Sequence, residues 1–244
     1  MSLAIVHSRA RLGIDAPAVS VEVHLANGMP SLTLVGLPET AVRESKDRVR
    51  SALLNAQLEF PGSKRITISL APADLPKDGG RFDLAIALGL LAASGQIPAQ
   101  ALTDCECIGE LALSGELRPI QGVLPVALAC RDAGRKLILP AANAAEAALV
   151  SGIELIAADH LLPLCAHLRG EQRLPDLPPT APSEPARHAD LADVQGQEQA
   201  KRALIIAASG GHNLLLFGPP GTGKTLLASR LPGILPPLAE QEAL

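Results

Sequence analysis

Residues 213–225 read NLLLFGPPGTGKT, an apolar run that leads into a glycine-rich loop closing on Lys224 and Thr225. Gly218, Gly223, Lys224 and Thr225 meet the spacing G-x-x-x-x-G-K-[ST], with Pro219, Pro220, Gly221 and Thr222 between them. Glycines at such positions let successive backbone N–H groups point at phosphate oxygens. The lysine neutralises the β- and γ-phosphates, and the threonine hydroxyl sits on Mg²⁺. Residues 213–217 predict a buried parallel strand, and residues 224–231 (KTLLASRL) a helix whose positive end faces the phosphates. Strand, loop and helix in that order predict a nucleoside triphosphate site, with ATP and Mg²⁺ as cofactors.

Composition sets the frame around this motif. Of the 244 residues, 48% are hydrophobic and 19% charged, enough for a packed core in one or two domains. A net charge of −4 gives no global attraction to nucleic acid or anionic membrane, so any such binding must be local. The longest apolar stretch, 84–93, is too short to span a bilayer, and the N-terminus has no signal-peptide pattern. No membrane association is expected, and the expected location is the cytoplasm. Trp and Tyr are absent, which leaves almost nothing for base-stacking platforms. Cys105 and Cys107 lack a second close pair or a histidine at ligand spacing, so packed thiols are favoured over a zinc site.

The chain is punctuated once. Residues 171–190 (EQRLPDLPPTAPSEPARHAD) carry five prolines, which predicts an extended linker between a domain at 1–170 and a P-loop segment at 191–244. Within the first domain, period-two apolarity predicts strands at 18–25, 32–35 and 65–70. Helices are expected at 38–56, 82–94, 122–133, 141–150 and 160–168, strands at 136–139 and 153–157, and a hairpin in 107–118 turning at Ser114-Gly115. The fold class expected is α+β, followed by the start of an α/β P-loop module. On helix 38–56, Arg43, Lys46 and Arg50 share one side and could follow a phosphate track. Glu44 and Asp47 stand four residues from Arg48 and Arg43, so a solvated face is the favoured reading.

Residues 75–83 (LPKDGGRFD), and later 115–140 (GELRPIQGVLPVALACRDAGRKLILP), resemble the proteolytic domain of Lon proteases, a ribosomal S5-like fold. Placed by that resemblance, the nucleophilic serine falls on Arg81 and its partner lysine on Leu124. Arginine cannot serve as an acyl nucleophile and leucine cannot accept a proton, so no catalytic residue of that type is present. The complete pattern, from MSLAIVHSRARLGI through VGLPETAVRESKDRVRSAL and APADLPKDGGRFDLAIALGLLAASG to GGHNLLLFGPPGTGKT, looks like the ComM/YifB proteins, magnesium-chelatase-like AAA+ ATPases. That resemblance implies a homo-oligomer, a hexamer at full length, that acts on branched or single-stranded DNA during natural transformation. It also makes Val194 and Gly196 candidate adenine contacts.

An AAA+ module needs an acidic strand, a polar sensor and an arginine finger, and residues 218–244 contain none of these. Glu240 and Glu242 follow no apolar strand. The expectation is therefore a nucleotide-binding chain without its hydrolytic half. The alternatives are a Lon-like ATP-dependent peptidase, or a non-enzymatic interaction domain.

Overall fold

A computed structural model describes residues 2–36, 40–77, 79–175 and 188–236. The chain divides into two compact units, Met1–Thr180 and Ala181–Leu244. Of the expected linker, residues 176–187 lie outside the described residues.

The first unit is built on strands β1 (Ser2–Arg9), β2 (Ala18–Ala26), β3 (Ser31–Val35), β4 (Arg65–Ala71), β5 (Cys105–Cys107), β8 (Lys136–Pro140) and β9 (Leu155–Ala158). They form one sheet in the order β3-β4-β2-β1-β5-β8-β9. β1 and β2 pair antiparallel from Ser2↔Leu25 to Arg9↔Ala18, and β2 pairs antiparallel with β4. The pairings β3·β4, β1·β5, β5·β8 and β8·β9 are parallel. The architecture is thus mixed α and β on a mostly parallel sheet. The short strands β6 (Glu110–Leu111) and β7 (Leu117–Arg118) form the hairpin expected near Ser114-Gly115.

Alternation explains one half of the sheet. Val19, Val21, Val23 and Leu25 of β2 and Ile66, Ile68 and Leu70 of β4 are buried on one face. Helices α1 (Thr40–Asn55) and α2 (Asp83–Ala93) pack with them into one continuous core. α2 (DLAIALGLLAA) is apolar nearly all round, the mark of a buried helix, and only Ala92 escapes full burial. Gly89 permits that position, because a Cβ there would stand 2.6 Å from Val23 Cγ2. On the other half, β5 is wholly buried and helix α3 (Val123–Asp132) packs against β8. The remaining helices of this unit are the single-turn α4 (Ala144–Ala147) and α5 (Leu161–Leu168).

Three expectations are corrected here. β1 and β5 are central strands that the pattern reading did not anticipate. The helix expected at 141–150 is a 3₁₀ turn, Ala141–Asn143, followed by α4 alone. The Asn143 side chain is diverted to the Ile120 backbone, accepting from its N–H and donating to its carbonyl, both at 2.9 Å. Arg48 is not chiefly a surface partner of Glu44 (3.8 Å), since it bonds the buried Asp83 at 2.8 and 3.1 Å. Residues 37–39 and the side chain of Arg43 lie outside the described residues.

A buried ion pair closes the sheet at β1 and β5. Glu106 is fully buried, and Arg9 forks onto it through Nε and Nη2 while also donating to the Ala16 and Ala129 carbonyls (2.8 and 2.9 Å). Arg135 adds a longer contact at 3.4 Å. Removing one partner of such a pair leaves an uncompensated charge, so Glu106→Ala is expected to lower unfolding stability by about 3–5 kcal/mol, read from the urea midpoint. The four cysteines are all buried and free. Burial pushes the Cys105 and Cys165 thiols up to about 11 and Cys130 to about 12, and raises Cys107 well above the usual thiol range. Ellman's reagent at pH 8 is therefore expected to label none of them in the native chain and all four after unfolding.

Candidate functional site

The second unit holds helices α6 (Glu198–Gly210), α7 (Lys224–Ala228) and α8 (Leu231–Ile234). Gly196 (φ 66°) and Gln197 (φ 55°) lead into α6 in the left-handed region, and Gly211 (φ 63°) ends it. A small core of Leu191, Val194, Leu204 and Leu227 fixes α7 against α6. Val194 is thus a buried packing residue, while Gly196 is exposed.

Residues 213–217 are not a paired strand, which corrects the expectation. A parallel strand needs neighbours on which to spend its N–H and C=O groups. None is found among the described residues, and Leu215 and Phe217 stand 83% and 89% exposed. Leu216 alone turns toward the small core. The helix expected at 224–231 ends at Ala228 and restarts as α8.

The loop has the turns that its glycines allow. Gly218, Gly221 and Gly223 have φ of 147°, 83° and 80°, values that only glycine adopts without strain. Lys224 Nζ donates to the carbonyls of Gly218 (2.9 Å) and Pro219 (2.7 Å) and approaches Thr222 Oγ1 (3.5 Å). Thr222 Oγ1 donates to the Pro219 carbonyl at 3.0 Å. Thr225 is exposed at the first turn of α7. An ammonium, a free-standing hydroxyl and backbone donors on open glycine turns form a set suited to a phosphate chain and its divalent cation. Gln197 is the residue that the sequence reading missed. Its Nε2 donates to the Thr222 carbonyl (3.2 Å) and would stand 3.0 Å from a Cβ on Gly223, so it braces the loop from the start of α6. Its signal was its place beside Gly196, in a left-handed turn.

In the first unit, Arg81 bonds the segment just before Leu124, while Leu124 itself bonds elsewhere. Arg81 is 6% exposed and donates to the Gln121 carbonyl at 2.9 Å, three residues before Leu124. The Leu124 N–H donates to Glu146 Oε1 at 3.2 Å. A cleft of ≈ 260 Å³ opens here, walled by Arg11, Gly80, Arg81, Glu110 and Pro119. Its chemistry is cationic and carboxylate, without a hydroxyl or thiol among these side chains. Beside it, Lys77 is fully buried and donates to the carbonyls of Gly36 (3.1 Å), Leu75 (2.8 Å) and Pro72. Burial pulls its ammonium below the usual lysine range, with Asp74 opposing. Asp78 lies outside the described residues.

Comparison with known proteins covers both units. A family profile described as Subunit ChlI of Mg-chelatase matches residues 21–143, and one described as Magnesium chelatase, subunit ChlI matches residues 190–244. Over all 244 residues the chain is 57% identical to the YifB protein of Salmonella typhimurium, covering 48% of it. It is 54% identical to competence protein ComM of Haemophilus influenzae, covering 49% of that protein. It is also 29% identical to Lon protease 2 of Bacillus subtilis, over 57% of this chain and 27% of the other. The chain spans about half the length of the YifB and ComM relatives.

Lys77, inside the first matched segment, ties its own loop between β4 and α2 to Gly36 after β3 by its ammonium. Lys77→Met would take the buried ammonium from three part-buried carbonyls, each worth about 1–3 kcal/mol when left unsatisfied. The expected loss is roughly 3 kcal/mol or more, checked by urea unfolding, with Lys77→Arg recovering only part of it.

Proposed function

The chain belongs to the ComM/YifB family of magnesium-chelatase-like proteins, and on that premise we propose that residues 191–244 begin an AAA+ module that binds ATP with Mg²⁺. Residues 1–170 form the accompanying Lon-like, ribosomal S5-like domain, and residues 171–190 link the two. The loop 218–225 carries this reading: its three left-handed glycines, Lys224 and Thr225 stand in the order that phosphate binding requires.

The bound nucleotide supplies the phosphoanhydride, and its metal ion supplies positive charge. The protein's part is to hold them. Lys224 exchanges the carbonyls of Gly218 and Pro219 for phosphate oxygens, Thr225 offers its hydroxyl to the cation, and the loop amides line the phosphates. Gln197 keeps the loop in register with α6, while Gly196 stands exposed beside the base and Val194 packs beneath it in the small core. At full length the protein works as a homo-oligomer, a hexamer, that remodels branched or single-stranded DNA in the cytoplasm, as in natural transformation. Peptidase chemistry is not part of this reading, because Arg81 offers no nucleophile and Leu124 no base.

Titration of a fluorescent ADP analogue into the purified chain, with and without Mg²⁺, tests the site. The absence of Trp and Tyr keeps the protein background low. Saturable binding is expected, weakened roughly a hundredfold or more in Lys224→Ala with the first unit's unfolding unchanged, because a charge-assisted contact to phosphate is lost. Equal binding in that variant would overturn the assignment.

A further inference from the structure

Strand β3 is an edge of the sheet, and among the described residues it hydrogen-bonds to β4 alone. Its sequence, SLTLV, holds none of the charges or prolines that guard an exposed edge. Val35 is 41% exposed, and Ser31 and Thr33 are exposed with it. At the opposite edge, every residue of β9 is half-buried or buried. Among the described residues β3 is therefore the more exposed edge, with no strand paired on its outer side.

Two hollows flank this edge and meet at Leu32. One of ≈ 150 Å³ is walled by Pro30, Leu32, Phe60 and Ile66, with Arg50 and Lys64 at its rim. The other, of ≈ 300 Å³, is formed by Leu32, Thr33, Leu34 and Lys46. Their apolar floors, Leu32 and Leu34, recur at the two-residue spacing at which an extended chain presents side chains to one side. Lys46 and Arg50 lie one helical turn apart on α1, and both are exposed, as are Lys64 and Arg65 at the start of β4. Lys64 spends one donor on Asn27 (2.8 Å). No acidic side chain lines either hollow among the described residues.

We propose that the β3 edge takes up an extended acidic peptide segment of a partner protein as an added strand. Main-chain hydrogen bonds to β3 supply affinity, apolar side chains of the segment fill the hollows at Leu32 and Leu34, and its carboxylates meet Lys46, Arg50 and Lys64. A nucleic-acid strand fits less well. The aromatic ring at the site, Phe60, is already covered by the Arg50 guanidinium at 5.4 Å, and open strand backbone matches peptide groups rather than bases. The proposal is independent of the nucleotide site, which lies in the other unit.

Fluorescence anisotropy of the intact chain tests it with a labelled heptapeptide of alternating Glu and Val. Three controls accompany it: the Lys and Val counterpart, the Glu and Val peptide methylated at alternate backbone nitrogens, and a single-stranded oligonucleotide of matching charge. Saturable binding of the acidic peptide is expected, with the lysine and methylated peptides failing to bind. Lys46→Glu combined with Lys64→Glu, both at exposed positions, should weaken it about tenfold or more while thermal unfolding is unchanged. Equal binding of the methylated peptide would overturn strand addition. Tighter binding of the oligonucleotide would convert the surface to a phosphate track, and no binding of the acidic peptide would end the proposal.

Discussion

A carboxylate without access to water organises the first unit. Asp83, in the first turn of α2, accepts two bonds from Arg48 on α1 and one from the Leu111 N–H of β6 (3.3 Å). Burial raises its pKa, and the Arg48 and Ser45 hydrogen bonds pull it back. Such a charge is tolerated only when its oxygens are occupied, so α1, α2 and the hairpin must arrive together. The backbone repeats the demand: Leu84 N–H donates to Gly109 and Gly109 N–H to Arg81. The cleft beside Arg81 is where it is because this corner is fixed.

The Arg9–Glu106 pair does similar work at the centre of the sheet, and the Lys77 ammonium does so among loops. Each buried charge has at least one partner distant in sequence, Arg9 and Glu106 being 97 residues apart. Each of these nodes satisfies at least one backbone group as well as its own charge or donors. At the cleft, Arg81 donates to the Gln121 carbonyl, and Leu124 nearby in sequence is half-buried.

The second unit is governed by a different constraint. Its small core of four buried apolar residues holds α6, α7 and the glycine loop together, yet the run 213–217 presents Leu215 and Phe217 outward. A glycine loop is drawn from short-range geometry, so it keeps its turns here. A central strand is drawn from its neighbours, so it does not pair.

That contrast also separates what was legible in the sequence. The glycine loop, the all-apolar helix α2, the alternation of β2 and β4 and the turn at Ser114-Gly115 were all readable, because each follows from residue type and local period. The central placement of β1 and β5, the diversion of Arg48 from Glu44 to Asp83, the bracing of the loop by Gln197 and the open edge at β3 were decided by tertiary structure alone. Each depends on which distant segment arrives as a partner, and burial and pairing across the fold carry no local period from which to read them.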